Sequence, residues 1–123
     1  MHRSALPLTA ALLASAVGAH AAGPSANVTA AFGNTILTID PDGRSRKIWL
    51  QPDGSWTGRS RRGIRLAGTW TVKGEKVCLH QTKPGLPGSM CEVFPSDPQV
   101  GIDAKDPMGK TIQLKLVKGH VEK

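Results

Sequence analysis

Short polar interruptions ending in glycine recur along this 123-residue chain, and they constrain its fold more than any other feature. Pro41-Asp42-Gly43, Pro52-Asp53-Gly54, Arg62-Gly63 and Lys73-Gly74 each sit between runs of β-prone residues, at the roughly 8–12-residue spacing of an antiparallel meander. Proline presets φ for the first turn position and glycine accepts a positive φ at the last, so these dipeptides have a mechanical reason to reverse the chain. The spacing predicts strands over 35–39, 46–50, 55–60, 64–72, 76–81, 91–94 and 111–117. Residues 82–90, with Pro84-Gly85 and Pro87-Gly88, read as a stiff loop. Residues 95–109, with Pro95, Pro98 and Pro107, read as a second loop.

Alternation within the strands predicts one buried face. Ile64, Leu66, Gly68, Trp70 and Val72 are spaced by two, as are Ile112, Leu114 and Leu116. Folding the Lys73-Gly74 hairpin places Val77 and Leu79 on the face of Trp70 and turns Cys78 and His80 the other way. If Pro52-Asp53-Gly54 closes a four-residue turn, Leu50 faces Ser55, Trp49 faces Trp56 and Arg46 faces Arg59. The expected architecture is a single all-β domain of about seven antiparallel strands, a small barrel or a strongly curled sheet, over residues 35–123. Residues 22–34 form an N-terminal arm or a short helix capped by Ser25.

The chain begins with a short positive segment followed by small apolar residues and ends that run in Ala19-His20-Ala21, the pattern of a secretory signal over residues 1–21 with an A-x-A cleavage site. The apolar run is too short for a membrane span. A mature protein starting near Ala22 loses only Arg3 among the charged residues and keeps a formal charge of +6. In a periplasmic or secreted protein that charge points to anionic envelope components or an acidic protein partner, with nucleic acid demoted by location. The bland reading of the same charge is solubility.

Cys78 and Cys91 are both in the mature chain, and an oxidising compartment favours their pairing. Closing that loop is worth about 3 kcal/mol by chain entropy, which matters to a small core. A metal or redox role has less support, because there is no C-x-x-C and His80 lacks identifiable co-ligands. No H-E-x-x-H, G-x-S-x-G or phosphate-cradling Gly-Lys-Ser loop is present, so neither catalysis nor a cofactor is expected. Asp40-Pro41-Asp42-Gly43 resembles a calcium loop only superficially, since its glycine comes early and no Glu closes twelve residues. Asn27-Val28-Thr29 fits the N-glycosylation pattern, which carries no meaning in a bacterial host.

The candidate binding residues are Arg44, Arg46, Lys47, Arg59, Arg61, Arg62 and Arg65, which crowd one end of the expected sheet. Like charges set opposite each other cost about 0.2–1 kcal/mol, and an anion would relieve them. Charged side chains splayed at a sheet edge also block edge-to-edge pairing, which is the purely structural account.

The run from Gly68-Thr69-Trp70 through Cys78-Leu79, with two Pro-Asp-Gly turns before it and Cys91 and Leu116-Val117-Lys118-Gly119 after it, resembles uncharacterised small periplasmic proteins of proteobacteria. That resemblance spans residues 33–119 and rests on turn and core positions, so it implies a fold and no catalytic residue. A weaker similarity is to secreted β-barrel inhibitors of bacterial proteases, which implies an insertable arm at 22–32 or loop at 82–90. Two functions follow as expectations. One is a non-enzymatic envelope protein that binds an anionic component or acidic partner through the basic sheet end; the other is an enzyme inhibitor.

Overall fold

The structure, a computed structural model, describes residues 26–106 and 108–122. The expected signal segment, the Ser25 cap, the side chain of Asn27, and Pro107 lie outside the described residues. A short helix, α1 (Ala26–Ala31), precedes eight strands: β1 (Thr35–Ile39), β2 (Ser45–Leu50), β3 (Ser55–Arg59), β4 (Arg65–Lys73), β5 (Lys76–Lys83), β6 (Met90–Glu92), β7 (Ile102–Lys105) and β8 (Thr111–Val117). All pairings are antiparallel, in the order β6-β5-β4-β3-β2-β1-β8-β7, and the single sheet curls into a nearly closed barrel. The β-rich architecture and the one-faced burial are those expected. An eighth strand, β7, lies within the segment read as a loop; it is four residues long, begins just after Gly101 and pairs with β8.

Four hairpins share one turn. Asp40 N–H donates to Arg44 O, Gln51 to Ser55, Ser60 to Ile64 and Asp106 to Lys110, each enclosing three residues. The last of the three is Gly43, Gly54, Gly63 or Gly109, all with φ between 84° and 95°. Three-residue loops of this kind need the left-handed residue, which glycine supplies without steric cost. Side chains staple the same turns: Asp42 accepts from Arg44 N–H at 3.0 Å, and Asp53 accepts from Ser55 N–H at 2.9 Å.

This turn corrects the expected register of the second hairpin. Three loop residues, not four, pair Gln51 with Ser55, so Leu50 faces Trp56, Trp49 faces Thr57 and Lys47 faces Arg59. A slip of one residue sends each side chain to the opposite face. Trp49 and Trp56 therefore occupy opposite faces, and Arg46 stands opposite Thr38 of β1 rather than Arg59. Ile64, expected on the buried face, sits in the third turn before β4 begins and is 55% exposed.

The inward face carries Ile36, Leu50, Trp56, Val77, Ile112, Leu114 and Leu116, all buried. Phe94, just after β6, joins the same core. Trp56 lies across two glycines: a Cβ on Gly58 would press on its ring, and one on Gly68 would collide with His80 O and the indole nitrogen. The sheet can curl tightly here because nothing larger than hydrogen occupies either position. The disulfide joins Cys78 to Cys91, directly opposed on the outward face, and so ties the three-residue edge strand β6 to β5.

Strands β1 and β8, the hairpin ends and α1 define two ends of the barrel. One end, called lower here, is closed by α1, whose Val28 and Ala31 enter the core, and by Phe32 against Trp70 at 5.8 Å between ring centroids. Gly33 at φ 77° ends the helix, and the Asn34 side-chain amide donates to Ala30 O at 2.8 Å. After β8 the chain folds back over the outward face at residues 118–122. There Thr35, 1% exposed, donates its hydroxyl to Gly119 O at 2.7 Å and accepts from Trp49 Nε1 at 2.8 Å and Val121 N–H at 2.9 Å. One hydroxyl thus uses its donor and both lone pairs. Replacing Thr35 by Val keeps the shape and strands the buried indole N–H, for an expected loss of about 2–3 kcal/mol in urea denaturation; an unchanged midpoint would show the tail to be ornamental.

Candidate functional site

Turns β1–β2, β3–β4 and β7–β8, together with the loop at 84–89, gather at the opposite, upper end. All seven candidate cations lie toward that end, and the register divides them between two faces. Lys47 of β2, Arg59 of β3 and Arg65 of β4 face each other across consecutive strands and form an outward row. Arg44 and Arg61 join Lys47 and Arg59 around a shallow outward depression with Glu122 at its margin. Arg62 sits at the tip of its turn and is exposed.

Carboxylates compensate part of this charge. Arg61 pairs with Asp40 at 2.9 Å and Asp42 at 3.5 Å; Arg44 lies 3.8 Å from Asp42, and Arg59 lies 3.1 Å from Glu122. Glu122 also meets His120 at 2.8 Å, and the His120 ring stacks on Trp49 at 4.1 Å. The His120 and Arg59 partners hold the Glu122 carboxyl below the usual glutamate range, while Arg44 N–H does the same for Asp42. Among the described residues, Lys47, Arg62 and Arg65 have no carboxylate within ion-pair distance.

Arg46 departs from the other six. It faces inward with Ile48 and Leu50 and lines an interior cavity of about 300 Å³. The cavity walls are mainly apolar, with Ile48, Trp56, Leu66, Leu79, Met90 and Leu114 among them, and the loop at 86–89 edges its mouth. That loop is tethered by His80 Nδ1 to Gly88 O at 2.8 Å and by Leu86 N–H donating to Gln81 O. Polar groups are sparse: Thr38, Arg46, Gln81, Ser89 and Glu92. The Arg46 Nη2 lies 3.9 Å from Asp40, a carboxylate already engaged by Arg61, and Arg46 Nε is buried without a hydrogen-bond partner among the described residues. Neither this cavity nor the inward Glu92 is visible in motif spacing; the alternation of β6 with β5 was the only signal available for Glu92.

Among the described residues no three His, Cys, Asp or Glu side chains gather as a metal centre, and no helix is long and apolar enough to cross a membrane. Glu92 is half-buried in the cavity wall, and burial pushes its carboxyl above the ordinary value of 4.5 against the opposing fields of Lys76 and Arg46. The folded chain then keeps a proton that the unfolded chain has lost, so this group lowers stability as pH rises through and beyond the glutamate range. Glu92→Gln is accordingly expected to raise the thermal midpoint at pH 7 and to leave it unchanged at pH 3.5, read by circular dichroism; equal midpoints at pH 7 would remove the burial cost.

Compared with known proteins, the chain matches no family model, no curated sequence and no solved structure.

Proposed function

We propose that this is a non-enzymatic binding protein of the periplasm or extracellular space, which holds an anionic envelope component or acidic partner against the upper end of its barrel. The observation that carries the reading is the outward row Lys47, Arg59 and Arg65, bordered by Arg44, Arg61 and Arg62 and supplied with fewer carboxylates than cations. Opposed like charges on neighbouring strands cost free energy that a bound polyanion returns. The disulfide and the absence of a membrane-crossing helix among the described residues are compatible with the compartment.

A second reading, an enzyme inhibitor, has one observation in its favour. The disulfide-bounded loop at 84–89 is tied down at Gly88 and Leu86 yet leaves the Leu86 side chain 54% exposed, a preordered apolar contact. The expected N-terminal arm fits this role less well, since Val28 and Ala31 of α1 are committed to the core.

Dextran sulfate, titrated calorimetrically at low salt and at about 0.3 M salt, separates the two, because screening shortens the reach of exposed charges well below about 10 Å. Binding is expected at low salt, and the combined Lys47→Ser, Arg62→Ser and Arg65→Ser variant is expected to weaken it by about tenfold or more. Undiminished affinity in that variant would overturn the cationic-surface reading.

A further inference from the structure

The outward cations leave the interior cavity without a role. Its volume of about 300 Å³ lies at the lower end of the range of small-molecule sites, and its apolar walls with a few convergent polar groups have their usual composition. Allowing about 30 Å³ for each water-sized group, it admits roughly ten of them, the bulk of a medium-length hydrocarbon chain. An open apolar cavity forfeits packing contacts along its walls, and Leu79 and the adaptable Met90 line this one without filling it.

Arg46 supplies the polar end. Its side chain lines the cavity from β2 and is 31% exposed, its Asp40 contact is long and shared with Arg61, and its Nε–H is buried with no acceptor among the described residues. Buried donors in folded proteins are satisfied as a rule, and a guanidinium edge presents two parallel N–H groups to a carboxylate or sulfonate. We propose that the cavity binds a small amphipathic anion, with an aliphatic chain of roughly eight to ten carbons among Trp56, Leu79 and Leu114 and its anionic head on Arg46. The sign of the ligand rests on the proposed function; its amphipathic shape and its location inside the barrel are additional to it. Glu92, facing the same cavity, opposes the anion when ionised and limits its affinity.

Decanoate and its uncharged analogue decanol, each titrated below the concentration at which it self-associates, test the assignment by calorimetry and tryptophan emission. Trp56 lines the cavity, whereas Trp49 and Trp70 do not, so emission reports entry of the chain. One decanoate per protein is expected. Arg46→Met is expected to weaken decanoate by about tenfold or more while leaving decanol nearly unchanged, as befits a charge-assisted contact. Met90→Trp, which fills the cavity from the edge strand, is expected to block both, with its disulfide and thermal transition verifying the fold. Glu92→Gln is expected to tighten decanoate. Absence of decanoate binding to the wild-type chain, or equal affinity in Arg46→Met, would overturn the proposal. The Lys47, Arg62 and Arg65 triple variant should still bind decanoate; loss there would place the head on the outward cations and overturn it as well. Since dextran sulfate reads only the outward face, failure of the polyanion experiment and failure of this one are distinguishable.

Discussion

A single sheet with one apolar face and no second layer must bury that face against itself. This requirement organises the molecule: eight strands with inward Ile36, Leu50, Trp56, Val77, Ile112, Leu114 and Leu116 pack chiefly against one another, and Val28 and Ala31 of α1 and Phe94 complete the core. Curling brings strands from distant parts of the order together, and it demands that side chains on the concave side be small where the bend is sharpest. Gly58 and Gly68 meet that demand on either side of Trp56, so its indole occupies the room their missing Cβ atoms release. Closure stops between β6 and β7, two short strands whose facing edges do not pair, and Phe94 enters the core from the chain that follows β6.

A curled sheet has two ends, and this one treats them differently. The lower end is sealed by α1 and by the tail that crosses Thr35, whose hydroxyl joins the start of β1, the Trp49 indole and the backbone at Gly119 and Val121. At the upper end the inward positions go to Thr38, Arg46 and Glu92, which neither pack as hydrocarbon nor pair closely with each other. Burying such groups opposes folding unless a partner compensates. The disulfide and four stapled turns stabilise the frame in which that cost is tolerated. At that end the interior stays open as the cavity instead of packing solid, with its few polar groups among apolar walls.

Much of the frame was legible in the sequence, because turn chemistry and period-two alternation act over a few residues. Gly43, Gly54 and Gly63 fall in the reversals their dipeptides indicate, and the outward placement of Cys78 follows from folding the Lys73-Gly74 hairpin around Trp70 and Leu79. What remained illegible depended on distances set by other strands. β7 has four residues and is recognisable only by its partner β8. Ile64 alternates correctly with Leu66, but the three-residue turn before it leaves it outside the ladder. The cavity belongs to no segment at all, since its walls come from seven strands that meet only after the sheet has curled.

The most consequential difference is one residue wide. Pro52-Asp53-Gly54 can close a hairpin with four loop residues or three, and the choice decides which basic residue of β2 stands opposite Arg59. With three, Lys47 joins Arg59 and Arg65 on the outward face and Arg46 turns inward beside Ile48. Adjacent cations in sequence thereby enter different surroundings. Charges on the outward row interact through water and fade beyond a Debye length of about 8 Å at physiological salt, whereas the Arg46 stem runs along apolar cavity walls with its Nε shielded from solvent. A basic cluster that reads as one surface in the sequence is therefore divided between the outward face and the cavity wall, and the division follows from the three-residue turn that ends in Gly54 at φ 95°.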